Sequence, residues 1–113
     1  MPKYVIFFGI TSDALARFID RPEDRRGPVR AIAEAVGGRL DSYYWMFGQY
    51  DGMAIFDLPD SASAAALALA AASTGAFRLF ETHELLEADQ LVGILERAQQ
   101  ARPTYRPPGT TPG

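Results

Sequence analysis

His83 is the only histidine in the chain. An imidazole that titrates near neutral pH is the natural general base or ligand if the protein uses one. Glu81 lies two residues earlier, so on a strand the two side chains share a face and the carboxylate can orient the ring or share its proton. The plainer reading of this pair is a solvated strand end. Tyr50 and Asp51 make a second pair. As functional groups they would line the mouth of a pocket between a sheet and its helices, Tyr50 donating a hydrogen bond to a polar ligand and joining His83 in acid–base work. As structural groups they have a local task, Asp51 bonding its own backbone to hold a turn and Tyr50 packing beside it. The structural task is the plainer reading here too.

Trp45 alternates with Tyr43 and Phe47, a row of rings on which a flat apolar ligand could stack. Such rows more often serve a core or an interface, and an interface is expected here. Arg17, Arg25, Arg26 and Arg30 are cations near the first helix. They could face an anionic ligand, although Arg25 and Arg26 stand beside Glu23 and Asp24 and read as a mixed-charge surface. One histidine and scattered carboxylates make a poor metal site. The chain has no Gly-rich phosphate loop, no Ser-centred elbow and no HExxH pattern, so neither cofactor nor metal is expected.

At 113 residues the chain is long enough for one domain and near the low end for a domain that stands alone. Its net charge of −3 gives nucleic acid and anionic membranes no basic patch to bind. Cysteine is absent, which removes disulfides, thiolate nucleophiles and Cys-based metal sites. The opening Met1-Pro2-Lys3-Tyr4 runs directly into a strand without a secretory pattern, and no apolar run is long enough to span a bilayer. A cytoplasmic location is the expectation.

The elements that must position these residues follow from periodicity. Tyr4–Ile10 is aromatic and β-branched without alternation, a first strand covered on both faces. Thr11-Ser12-Asp13 offers an N-cap for a short helical turn through Leu15 and Phe18. A helix is expected from Pro28, with Val29, Ile32, Ala33 and Val36 as its apolar stripe and Gly37-Gly38 as its end. Arg39–Phe47 reads as a strand with Leu40, Tyr44 and Met46 on one face and Tyr43, Trp45 and Phe47 on the other. Gly48-Gln49-Tyr50-Asp51-Gly52 is a turn, and Met53–Leu58 the strand that returns from it. This aromatic hairpin is expected to seed the core.

Asp60 caps an Ala-rich helix from Ser61 to about Thr74, stopped by Gly75. Phe77–Leu85 is a fourth strand, with Phe77, Leu79, Glu81 and His83 on one side and Arg78, Phe80, Thr82 and Glu84 on the other. A last helix, Glu87 to about Gln100, carries Ala88, Leu91, Val92, Leu95 and Ala98 as its stripe. Residues 1–100 thus form the domain, and 101–113 a Pro/Gly-rich tail, either disordered or laid on a neighbouring subunit.

The order is βαββαβ with an extra C-terminal helix: an α+β, ferredoxin-like fold with a four-stranded antiparallel sheet. Its helices cover one sheet face, while three strands carry large apolar residues on both. An exposed apolar patch of several hundred Å² is rare on a monomer. The expected partner is a second copy of the chain, sheet against sheet about a two-fold axis.

With this order in place, Phe47-Gly48-Gln49-Tyr50-Asp51-Gly52 resembles the signature of the GYD domain family. The opening Met-Pro-Lys-Tyr strand, the helix ending in Gly37-Gly38, the aromatic strand before the signature, the Leu58-Pro59-Asp60 entry to an Ala-rich helix and the strand after Gly75 fit the same resemblance. It runs from about Met1 to Glu84. Gly27-Pro28 interrupts what is normally an unbroken first helix, and the terminal helix and tail lie beyond the pattern. The resemblance implies a dimeric α/β-barrel and an undetermined function, within a fold group that includes cofactor-free oxygenases, haem proteins and small-molecule-binding modules.

Three functions therefore compete. The first is a homodimeric module that binds a small organic ligand or a partner, with Tyr50, Asp51, Trp45 and Arg17 as its contacts. The second is a cofactor-independent oxygenase or isomerase using His83, Tyr50 and Glu81. The third is an assembly module whose last helix or tail joins dimers. A pocket with His83 or Tyr50 facing inward favours a binder or enzyme, and a fully packed interior favours assembly.

Overall fold

A computed structural model describes residues 1–111; residues 112 and 113, the end of the expected tail, lie outside the described residues. The chain runs β1 (Lys3–Ile10), α1 (Ser12–Asp20), α2 (Arg26–Ala35), β2 (Arg39–Trp45), β3 (Gly52–Asp57), α3 (Ser61–Ala72), β4 (Phe77–Leu85) and α4 (Leu91–Ala101). Single 3-10 turns, Ala88–Gln90 and Arg102–Thr104, flank α4. The four strands form one antiparallel sheet in the order β2-β3-β1-β4, the ferredoxin-like α+β arrangement.

The caps follow the sequence. Thr11 Oγ1 accepts from Ala14 N–H (3.2 Å) and starts α1, which continues through Asp20 as a full helix rather than a single turn. The Asp24 carboxylate accepts from Arg26 N–H (3.0 Å), so α2 begins two residues before Pro28 and leaves the proline in its first turn. Asp60 accepts from Ser63 N–H (2.8 Å) and starts α3. Gly37 and Gly75 take positive φ angles of 85° and 79° just after α2 and α3, where a side chain would be strained.

The core lies where α2 and α3 cover the central strands. Tyr4, Ile6, Ala33, Ala54, Phe56, Leu58, Ala64 and Leu67 are buried together, with Val29, Ile32 and Val36 packed against them. The α2 stripe points inward as its spacing predicts. The hairpin's share of this core comes from its second strand, Ala54, Phe56 and Leu58; aromatic β2, an edge strand, adds only the partly buried Leu40 and Tyr43 packed against the cluster.

Two bulges reassign faces. The β2–β3 register shifts between Leu40 and Ser42, leaving Asp41 as the extra residue. Leu40 therefore shares the helix-covered face with Tyr43 and Trp45, and Tyr44 stands on the open face, where strict alternation puts Leu40 beside Tyr44. The β1–β4 register shifts at Gly9/Ile10, with Arg78 as the extra residue. Phe77 and Phe80 consequently lie on the same, helix-covered face, ring centroids 5.1 Å apart. The expected interface row is corrected as well: Tyr43 and Trp45 face the helices, and Phe47, beyond the end of β2, is fully solvent-exposed.

Leaving the sheet, α4 buries none of its residues. Among the described residues no helix is long and apolar enough to cross a membrane.

Candidate functional site

The residues singled out by their chemistry fall into three separate places. On the helix-covered side, a cavity of about 560 Å³ opens between the sheet and α1, α2 and α3. Its existence follows from small side chains where large ones would close it. Helix α1 buries nothing of its own and lies over the sheet through Ala14 and Phe18, while α3 offers Ala71. The floor and wall are aromatic. Phe8 meets Trp45 at 5.4 Å, Tyr43 at 5.9 Å and Phe77 at 5.9 Å, and Phe18 on α1 meets Trp45 at 5.2 Å.

Phe8 can lie flat across the sheet because Gly52 has no Cβ; one added there would approach Phe8 Cε2 to 2.6 Å. This is the second use of glycine in the signature, a close approach rather than a turn angle. Gly48, at φ 147°, supplies the turn.

The cavity mouth is cationic. Arg17, Arg21 and Arg25 line it together with Glu23. Arg25 is engaged, its Nη1 lying 2.6 Å from Glu23 Oε1. Arg17 and Arg21 form no ion pair among the described residues; Arg17 lies in the last turn of α1 and Arg21 is the residue that ends it, its N–H donating to Arg17 C=O at 3.0 Å. Tyr43, half-buried on the wall, has its phenol pushed up to about 12, chiefly by burial. It therefore stays neutral and keeps its proton over the whole ordinary pH range. The chemistry on offer is an apolar, aromatic-walled space with a neutral donor inside and two uncommitted guanidiniums at the entrance.

Across the sheet, on its open face, lie His83, Glu81 and Tyr50. The Tyr50 hydroxyl donates to Glu81 Oε1 at 2.8 Å, and His83 Nε2 lies 3.4 Å from Glu81 Oε2. The Phe7 ring packs against both Tyr50 (5.3 Å) and His83 (6.1 Å). Glu81 raises the Tyr50 pKa above its usual value by holding the phenol proton. A phenol, a carboxylate and an imidazole in a row could relay a proton, yet none of them lines the cavity. The spacing of Glu81 and His83 correctly pairs them. The pocket-mouth position expected for Tyr50 is not found.

Asp51 occupies a third place, between strands. Its carboxylate accepts from Ile10 N–H (2.8 Å) and from Arg78 Nη2 (3.3 Å), while its own N–H donates to Phe8 C=O (2.8 Å). Arg78 crosses over Gly9 to reach it and also donates to the carbonyls of Ile10 (3.2 Å) and Gln49 (3.0 Å). The side chain was expected to bond its own turn; it ties the turn to β1 and β4 instead. Among the described residues no cluster of three or more His, Asp or Glu could hold a metal ion.

Trp45 and Arg17 thus reach the cavity, with Arg25 beside them, whereas Arg26 and Arg30 do not line it. Sequence reasoning missed Arg21, Phe77 and Phe80. Arg21 was within reach, four residues after Arg17, whereas Phe77 and Phe80 are brought together only by the β4 bulge.

Comparison with known families matches the GYD domain over residues 4–95, which takes in every residue of the three places just described. No curated protein and no solved structure matches the chain.

Proposed function

We propose that this chain, which belongs to the GYD domain family, is one subunit of a homo-oligomer that binds a small organic molecule with an apolar body and an acidic end. The carrying observation is the cavity: aromatic walls around about 560 Å³, a volume ordinary for a small-molecule site, with Arg17 and Arg21 unpaired at its mouth. An apolar body would replace water against Phe8, Trp45, Phe77 and Phe80. A carboxylate or sulfonate would meet the guanidiniums, and the neutral Tyr43 phenol would donate to a polar atom deeper in. The homo-oligomer reading is supported by the open sheet face, where Phe7, Tyr44, Met53 and Ile55 have no helix over them. Catalysis by His83 and Tyr50 has no such support, since both lie across the sheet from the cavity.

A matched pair of dyes tests the binding reading. Anilinonaphthalene sulfonate is an aromatic anion, and phenylnaphthylamine is its uncharged counterpart. Both should bind with energy transfer from Trp45, the only tryptophan. The Arg17→Glu/Arg21→Glu double variant should weaken the anion about tenfold or more and leave the neutral dye unchanged. Equal binding of both dyes to both proteins, or no saturable transfer from Trp45, would defeat the reading.

A further inference from the structure

The chain exposes 8058 Å². A compact folded protein of its 12.4 kDa mass exposes roughly 6,100 Å², by the usual scaling of folded surface with mass. The radius of gyration says the same, 18.4 Å against about 13 Å for a compact domain of this length. Most of this excess belongs to the C-terminal arm. Helix α4 substantially contacts only the 3-10 turns on either side of it, and it buries nothing.

The arm is nevertheless built to be buried. Leu91, Ile94, Leu95 and Ala98 recur at helical spacing, with Val92 at the stripe's edge. In the isolated chain Leu91 is 45%, Val92 62% and Leu95 57% exposed. Leu86 and Leu85 join this stripe to β4, and Leu85 shares the open sheet face with Glu81 and His83. Leu85 and Leu86 thus put apolar side chains at the point where the arm leaves the sheet.

We infer that α4 is an exchanged arm, its stripe Leu91-Ile94-Leu95-Ala98 docking on a second copy of this chain. The inference rests on the homo-oligomer reading and adds where the contact is made. Three features favour a second copy over other occupants. An excess of roughly 1,900 Å² per chain, covered in both copies, falls within the range of obligate homodimers. The arm leaves the sheet at Leu85, on the open face that a second sheet would cover. The arm is also not basic: Glu87, Asp89 and Glu96 offset Arg97, Arg102 and Arg106, where a membrane-surface helix would carry a cationic face.

Sedimentation of the full chain across nanomolar to micromolar concentration tests this, with the Leu91→Glu/Leu95→Glu variant beside wild type. Leu69→Glu serves as control, because Leu69 is 72% exposed on α3, away from the arm. The expected result is a wild-type dimer, a dissociation constant at least a hundredfold weaker in the double variant, and no change in the control. Circular dichroism of the double variant should keep its near-ultraviolet aromatic signal, since α4 packs on none of the core rings. If the double variant keeps the wild-type dissociation constant, the arm inference falls while the homo-oligomer reading stands. If wild type is monomeric at micromolar concentration, both fall. Flotation of wild type with phosphatidylcholine–phosphatidylglycerol vesicles, lost in the double variant, would give the stripe to a membrane and also overturn the inference.

Discussion

Replacing Asp51 by alanine tests the role that the structure gives to the Tyr-Asp signature. Strand β3 begins only at Gly52, opposite Phe8, so β1 loses its ladder partner on that side while it still has two residues to run. Asp51 takes over. Its N–H donates to Phe8 C=O at 2.8 Å and its carboxylate receives Ile10 N–H at 2.8 Å. In Asp51→Ala the Ile10 donor, on a half-buried residue, loses its partner, which costs about 1–2 kcal/mol. The Arg78 contact, 3.3 Å long between groups 31% and 42% exposed, adds no more than about 0.5–1 kcal/mol. The expected loss is therefore about 2 kcal/mol, equivalent to a Tm lower by about 8 °C in a domain of this size. Asp51→Asn retains an oxygen for Ile10 and gives up only the charge facing Arg78, so it should lose less than about 1 kcal/mol. Urea and thermal unfolding followed by circular dichroism measure both. Dye binding should be unchanged in both variants, because Asp51 does not line the cavity. An Ala variant within about 0.5 kcal/mol of wild type, or an Asn variant as damaged as Ala, would refute the clasp.

Gly52→Ala places a methyl group against the Phe8 ring, 2.6 Å from Cε2 and 2.7 Å from Cε1. It should cost about 1–3 kcal/mol by overpacking in urea unfolding and weaken dye binding as Phe8 leaves the cavity floor. Asp57, buried beneath Lys3 Nζ and Arg39 Nε at 2.9 Å each, has a carboxyl pKa below the ordinary 3.8, held down first by Lys3 and then by Arg39. A depressed carboxylate stabilises the fold above its unfolded pKa, and that contribution is lost as pH falls through the folded value. Asp57→Asn should therefore cost about 2 kcal/mol at pH 7 and progressively less as pH falls below 3.8, the wild-type and variant urea midpoints converging in acid.

What the sequence reveals of the fold depends on how local the causes are. The α2 stripe, the Asp60 cap and the Gly75 stop are set by residues within a turn or two of one another, and each is found as the spacing predicts. The core's location is less local. Ring count favours the Tyr43–Phe47 segment, yet burial depends on where a strand lies in the sheet. Alternation along β2 does not reveal that β3 and β1 take the middle. Asp51 illustrates the same limit for a side chain: its turn is legible, but its partners Ile10 and Arg78 are 41 and 27 residues away.

The decisive omission is parity. Each bulge inserts a single residue, and because side chains alternate, one residue reverses every face assignment beyond it. Asp41 sends Tyr43 and Trp45 to the side where Leu40 lies, and Arg78 sends Phe77 to join Phe80. Without those insertions Tyr43 and Trp45 would face away from Leu40 and the core, and Phe77 would stand with Glu81 and His83. The cavity would lose three of its rings, and the open face would gain them. The two extra residues are polar residues that each follow an apolar one, so nothing in their composition separates them from ordinary strand positions. Arg78 is nevertheless put to use: as the surplus residue it is free of the ladder's alternation and spans Gly9 to reach Asp51. One insertion thus adds Phe77 to the cavity's aromatic wall on one side of the sheet and supplies the cation that secures the signature turn.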